Sequence, residues 1–261
     1  MNILKSMAVA FSMYSRIPVP VFEWKKENLK YSICFFPIIG LIIAALMTGL
    51  FLMFEGPLDP IPVAGRAIFI LEVPIIVSGG IHLDGFMDTS DALSSFRDEQ
   101  KRLEILADPH IGAFAVIRLI LFCGLFFAGV LTVLSCKPDK KLFFLWALIF
   151  FFSRILSAIA VVSFKCAKNE GTLYTFAQGA EKTKCRVVLL IEATRCLGVM
   201  ILGNWLIGGF TALVMIISFI CYRHMAYSKF GGITGDLAGY FVCSCELFGT
   251  FAFMLCLVLG V

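Results

Sequence analysis

Charge is scarce in this chain. Asp, Glu, Lys and Arg make up 15% of its 261 residues, where an ordinary globular domain carries about a quarter. That shortage argues against a water-solvated fold. Polar interruptions are thin as well: hydrophobic residues reach 60% and mean hydropathy is +0.94. Several apolar runs approach the roughly 20 residues needed to cross a bilayer. The net charge of +4 is too small to argue for a nucleic-acid partner. Metal-binding cysteine spacing is also missing, since no Cys-x-x-Cys occurs and Cys221-x-x-His224 is half of a zinc pattern without its second half. The ten cysteines lie mostly within apolar runs and read as small buried hydrophobes, not disulfide partners. The first 30 residues hold no short apolar core followed by a small-residue cleavage site, so no signal peptide is expected.

What is present reads as an all-α polytopic membrane bundle in one domain, 1–261, with about seven transmembrane helices and an N-terminal interfacial helix. Residues 3–14 are apolar but short, and Arg16-Ile17-Pro18-Val19-Pro20 stops them, which suits a helix lying on the membrane. Spans are expected at about 33–54, 64–80, 113–135, 142–163, 187–203, 206–222 and from 238 to the C-terminus. Pro57, Pro60 and Pro62 make 55–63 a loop. After Asp91 comes a polar helix with a thin apolar stripe of Leu93, Phe96, Leu103 and Leu106, suited to lying across the mouth of a bundle.

Basic residues orient this bundle. With the N-terminus inside, the inner segments carry fifteen of the Lys and Arg residues and the outer loops only Arg66, Lys137, Lys140 and Lys141; Arg118, Arg154 and Arg195 fall within spans. Such a bias places the N-terminus in the cytoplasm and the C-terminus outside. The polar loops 81–112, 164–186 and 223–237 then share the cytoplasmic face of a multi-pass protein of the cell (inner) membrane.

The chemistry gathers at Gly79-Gly80-Ile81-His82-Leu83-Asp84-Gly85-Phe86-Met87-Asp88-Thr89-Ser90-Asp91. In a helix, carboxylates at i, i+4 and i+7 share one face, and like charges at that spacing repel. A hard divalent cation offsets the repulsion, and Mg²⁺ is typically held by a few carboxylates plus substrate phosphates. Asp84, Asp88 and Asp91 are therefore the expected metal group, with Asp236 or Asp108 completing the shell. Gly85 removes a side chain where a backbone or phosphate approaches. The spacing is not that of an EF-hand, and no Walker loop occurs. Gly79-Gly80-Ile81-x-x-Asp84 recurs as Gly231-Gly232-Ile233-x-x-Asp236, so two glycine turns can present an Asp to one pocket. His82 and His110 flank the motif as candidate phosphate or hydroxyl contacts. Among the intramembrane charges Glu72, Arg118, Arg154, Glu192, Arg195 and Glu246, Arg118 and Arg154 are candidates for clamping a diphosphate, with pairing between spans as the alternative.

The stretch 79–93 resembles the signature of the adenosylcobinamide-GDP ribazoletransferase (cobalamin synthase) family. Ser15-Arg16-Ile17-Pro18-Val19-Pro20, the run from Leu103 to Phe114 and Gly231-Gly232-Ile233-Thr234-Gly235-Asp236 agree with it in order and spacing. Where many members read Asp-Ser-Arg-Ile-Gly, this chain has Asp108-Pro109-His110-Ile111-Gly112, which makes His110 the substitute for the Arg. The resemblance implies an integral-membrane, Mg²⁺-dependent transferase of late cobalamin assembly. It would join adenosylcobinamide-GDP to α-ribazole or its 5′-phosphate and release GMP. The Asp texture also resembles CDP-alcohol phosphotransferases, whose Asp-x-x-Asp-Gly-x-x-Ala-Arg pattern is not present. A transporter using Glu72, Arg154, Arg195 and Glu246 would gather its charges near the bilayer centre, and a non-catalytic anchor leaves the carboxylates unexplained. A homo-oligomer or a complex with other cobalamin-assembly enzymes is compatible with this reading.

The orientation is directly testable. Single cysteines placed at 137–141 and in 164–186, on a background without other reactive thiols, are expected to be labelled from outside intact cells only at 137–141. Strong external labelling of 164–186 would overturn the shared cytoplasmic face.

Overall fold

In a computed structural model describing residues 3–95 and 97–260, the chain is all-helical, with one isolated bridge outside the helices. Phe96, expected in the apolar stripe, lies outside the described residues. The elements are α1 (Ile3–Tyr14), α2 (Lys26–Leu29), a 3₁₀ turn (Ser32–Phe35), α3 (Phe36–Phe54), α4 (Val63–Ser78), α5 (Ile81–Ser94), α6 (Glu99–Ile105), α7 (Ala113–Ser135), α8 (Lys140–Ser163), α9 (Thr172–Gly179), α10 (Lys182–Gly203), α11 (Trp205–Phe230) and α12 (Gly235–Leu259). Local chemistry sets several boundaries. Asp139 accepts from the Leu142 backbone N–H at 2.7 Å, and Asn204 accepts from Leu206 and Ile207. Thr234 Oγ1 accepts from Leu237 N–H at 3.2 Å. Each satisfies donors that a helix start otherwise leaves open.

Among the described residues, Lys26–Phe54, Ala113–Ser135, Lys140–Ser163, Trp205–Phe230 and Gly235–Leu259 are long and apolar enough to cross a bilayer. The bent pair α4–α5 makes a sixth if its two helices count as one span. The remaining expected span corresponds to α10, 22 residues long, which Arg186, Glu192 and Arg195 set apart in composition. Sequence-predicted boundaries differ most at α11, which runs on from Tyr222 to Phe230. Polar residues there leave the apolar run without interrupting backbone hydrogen bonding. The N-terminal helix packs on protein as well, with Val9 and Ala10 fully buried.

α8 is the central column: 89% of its most apolar stretch is buried, against 28% for α7. Its Trp146 Nε1 donates to Thr250 Oγ1 on α12 at 3.1 Å. One turn-pair further along, Arg154 Nη1 lies 2.6 Å from Glu246 Oε1, and both side chains are buried. Ser153 Oγ donates to the same carboxylate oxygen at 2.8 Å. Isoleucine, leucine and phenylalanine side chains on α7, α10 and α11 are exposed, as lipid-facing surfaces require.

Between α4 and α5 the chain turns by 92°. Gly79 and Gly80 make that turn with φ of 65° and 80°, a left-handed conformation that a side chain disfavours. The turn brings α5 against α12 and α7.

The Arg154–Glu246 pair yields a stability prediction. Glu246→Ala strands a buried guanidinium and is expected to destabilise the protein by about 3–5 kcal/mol, seen as a lower Tm in detergent. The double variant Arg154→Met/Glu246→Met should recover most of that loss. A double variant as unstable as Glu246→Ala would show that the pair is not the source of the effect.

Candidate active site at the junction of two helices

The acidic motif does form a helix. Asp84, Asp88 and Asp91 fall at one- and two-turn spacings along α5. α5 can lie against the start of α12 because Gly85 has no side chain: a Cβ there would come within 2.8 Å of Asp236 Cα and 2.7 Å of its carbonyl oxygen. The same approach recurs at Gly239, where a Cβ would lie 2.9 Å from the His82 carbonyl oxygen. The two Gly-Gly-Ile-x-x-Asp segments therefore meet, and Asp84 and Asp236 line one cavity of about 270 Å³. The charges of Asp84, Asp236 and Asp91 all bear on Asp88, Asp84 most strongly. Asp91 sits against the start of α7, where a side chain on Gly112 would occupy the space of its carboxylate.

A second cavity of about 320 Å³ adjoins the first through Thr172, Leu173, Gly235 and Asp236. Its wall comes from 166–174 and 233–236, two segments stapled together by backbone hydrogen bonds. Ala167 N–H donates to the Ile233 carbonyl and Ile233 N–H to the Lys165 carbonyl, each at 2.9 Å. Gly232 permits this closeness, since a Cβ there would lie 2.5 Å from the Lys165 carbonyl oxygen. Gly231, with φ of 68°, caps α11 and would otherwise run into the Glu99 carboxylate. The structure thus gives Gly231 and Gly232 a part in joining loops, beside the substrate-binding part expected from sequence.

The other expected site residues are scattered. His82 is buried, its ring edge-on to Phe36 at 5.6 Å, and its Nε2 has no hydrogen-bond partner among the described residues. It lines the cavity with Asp84. Arg154 does not reach the carboxylates, because it is held by Glu246 inside the bundle. The alternative of pairing between spans is the arrangement found, and a diphosphate clamp at Arg154 is not what its contacts provide. Arg118 is exposed on α7 and lines neither cavity at Asp236. His110 is exposed, with Nδ1 2.6 Å from Asp108 Oδ1. Its backbone N–H and then its ring hold the Asp108 carboxyl below the usual carboxylate range.

The donor set suits a hard cation, since it consists of carboxylate oxygens. Glycine at 112 leaves the room that the Asp91 carboxylate uses. Among the described residues, no three His, Cys, Asp or Glu side chains converge closely enough to hold one ion. Mg²⁺ does not require such convergence, because it keeps several waters and takes substrate phosphates alongside one or two carboxylates.

Sequence reasoning missed Tyr14 and Phe36 on one cavity wall and Lys168, Thr172 and Tyr174 on the other. Lys168 Nζ donates to the Leu103 carbonyl at 3.1 Å, and its charge bears on Asp236. The one available signal is the cluster of basic residues in 164–186, which membrane orientation also accounts for.

Known proteins resemble this chain over nearly all of its length. An adenosylcobinamide-GDP ribazoletransferase of Lachnoclostridium phytofermentans is 43% identical over 248 residues, 95% of this chain and 92% of the relative. Its counterpart in Clostridium perfringens is 36% identical over 94% of this chain and 95% of its own length. A relative of the same name in a Geobacillus species is 30% identical over 84% of this chain and 83% of its own. No solved structure matches. The model of the family described as cobalamin-5-phosphate synthase matches residues 6–255, a range that includes both glycine turns and all four carboxylates of the junction, and the chain belongs to that family.

Proposed function

We propose that this multi-pass membrane transferase joins adenosylcobinamide-GDP to α-ribazole or α-ribazole 5′-phosphate, giving adenosylcobalamin or its 5′-phosphate and GMP. The observation that carries this reading is the meeting of Asp84 and Asp236 on one cavity wall, with Asp88 in their field. The family supplies the substrates. The site lies in the cytoplasm by the distribution of Lys and Arg, in the cell membrane.

In the reaction a ribazole hydroxyl oxygen bonds to the phosphorus next to cobinamide. The bond from that phosphorus to the bridging oxygen breaks, GMP leaves with the electron pair, and the hydroxyl proton passes to a carboxylate. Asp84 and Asp236 both face the cavity in which the hydroxyl would lie, and Asp236 is the base or a further cation ligand. Asp84, Asp88 and Asp91 would hold Mg²⁺, which when bound neutralises diphosphate charge. His82 lines the same cavity and is a candidate to position the hydroxyl. Lys168, in the adjoining cavity, is the available cation for a substrate phosphate.

Asp→Asn at 84, 88 or 91 preserves size while removing a charge. Each change is expected to lower transfer in membranes by at least about 10²-fold, the scale of losing one transition-state electrostatic group. Inserted protein should persist at near wild-type levels, because relieving like-charge repulsion does not destabilise a helix. Raised Mg²⁺ should partly restore a variant lacking only a ligand and leave one lacking the base inactive. Near-normal turnover in all three would falsify the metal-site reading; retained turnover in Asp88→Asn alone would reduce the site to Asp84 and Asp91.

A further inference from the structure

The two cavities that meet at Asp236 differ in chemistry. The larger is lined by Lys168, Glu170, Thr172, Tyr174 and Thr234. The smaller, of about 270 Å³, is walled chiefly by Tyr14, Ile33, Phe36, Val161 and Leu173, with Ser157 beside them. Tyr14 and Phe36 are in contact, ring centroids 4.5 Å apart, and form an aromatic side to the chamber. Asp84 and Asp236 belong to the same lining, so a group occupying the chamber lies beside both carboxylates.

Resting on the transferase reading above, we infer that this apolar chamber seats the flat aromatic base of the ribazole substrate and that Val161, with Tyr14 and Phe36, sets which bases are accepted. Size excludes the corrin, because the chamber falls at the small end of ligand pockets, which run from roughly 300 to 1,000 Å³. Polarity disfavours guanine, the other flat ring in the reaction. Its edge carries several donors and acceptors that need partners when buried, whereas away from Asp84 and Asp236, which the reaction engages, the chamber's polar side chains are Tyr14, His82, Ser157 and Thr172. A benzimidazole bearing two methyl groups has an apolar outer edge that these walls match. With the base seated, its ribose lies at the boundary between chambers. There Thr172, Leu173, Gly235 and Asp236 are common to both, and the sugar hydroxyl meets Asp84 and Asp236.

The test uses the full-length protein in bilayer nanodiscs and two ribazoles, one with dimethylbenzimidazole and one with unsubstituted benzimidazole. Val161→Phe fills the chamber and is expected to raise KM for the dimethyl substrate by about tenfold or more, the worth of a methyl-sized change in an apolar pocket. The rise for the unsubstituted base should be smaller, with KM for adenosylcobinamide-GDP and inhibition by GMP unchanged. Val161→Ala enlarges the chamber and should shift preference toward the bulkier base; it keeps the test open if the larger side chain prevents insertion. Equal effects on both ribazoles, or changes confined to adenosylcobinamide-GDP or GMP, would overturn the assignment and give the chamber to the nucleotide. Wild-type protein that forms no product from either ribazole would instead defeat the transferase reading on which the assignment rests.

Discussion

Close packing of α5 on α12 is the constraint around which the candidate site is arranged. At that junction burial, and after it the charges of Asp84, Asp236 and Asp91, bear on Asp88. Close approach through Gly85 and Gly239 holds the two backbones together. In the reaction proposed above, the substrate would bring negative phosphates, and a cation held by the carboxylates would offset both sets of charge.

What keeps that arrangement rigid lies deeper. α8 is buried on nearly every side and joins α12 through Trp146–Thr250 and Arg154–Glu246. Both contacts fix α12, and hence the position of Asp236 at its start. His82 links the two levels, with its carbonyl against Gly239 and its ring against Phe36. Arg154, which reads in sequence as a candidate for a diphosphate clamp, is instead paired with Glu246 and bears on the site through the position of α12.

The sequence made the carboxylate helix legible because i, i+4 and i+7 spacing survives any tertiary context. Asp236 was legible through the repeated glycine turn, and the apolar runs marked the long helices because hydrocarbon dictates their length. Other features had no such signature. Arg154 could have faced several neighbours, since α8 is apolar all round and periodicity does not say which face meets α12. Tyr14 was hidden by reading its short helix as interfacial, although that helix also packs on protein. The cavity wall from 166 to 174 was hidden because a polar loop carries no period, and only its hydrogen bonds to Ile233 bring it to Asp236. The right-angle turn at Gly79-Gly80 follows from two consecutive left-handed residues, a conformation that Gly-Gly permits without announcing.

The central claim is that the α5–α12 junction holds the catalytic cation beside the diphosphate. Its most direct test is to locate Mn²⁺, substituted for Mg²⁺, by anomalous scattering in crystals grown with GMP. The account predicts a metal peak bonded to Asp84 and to at least one of Asp88, Asp91 and Asp236, with a GMP phosphate oxygen in the same coordination shell. A peak bound elsewhere, such as at the acidic residues of α6, with none at the junction, would contradict it.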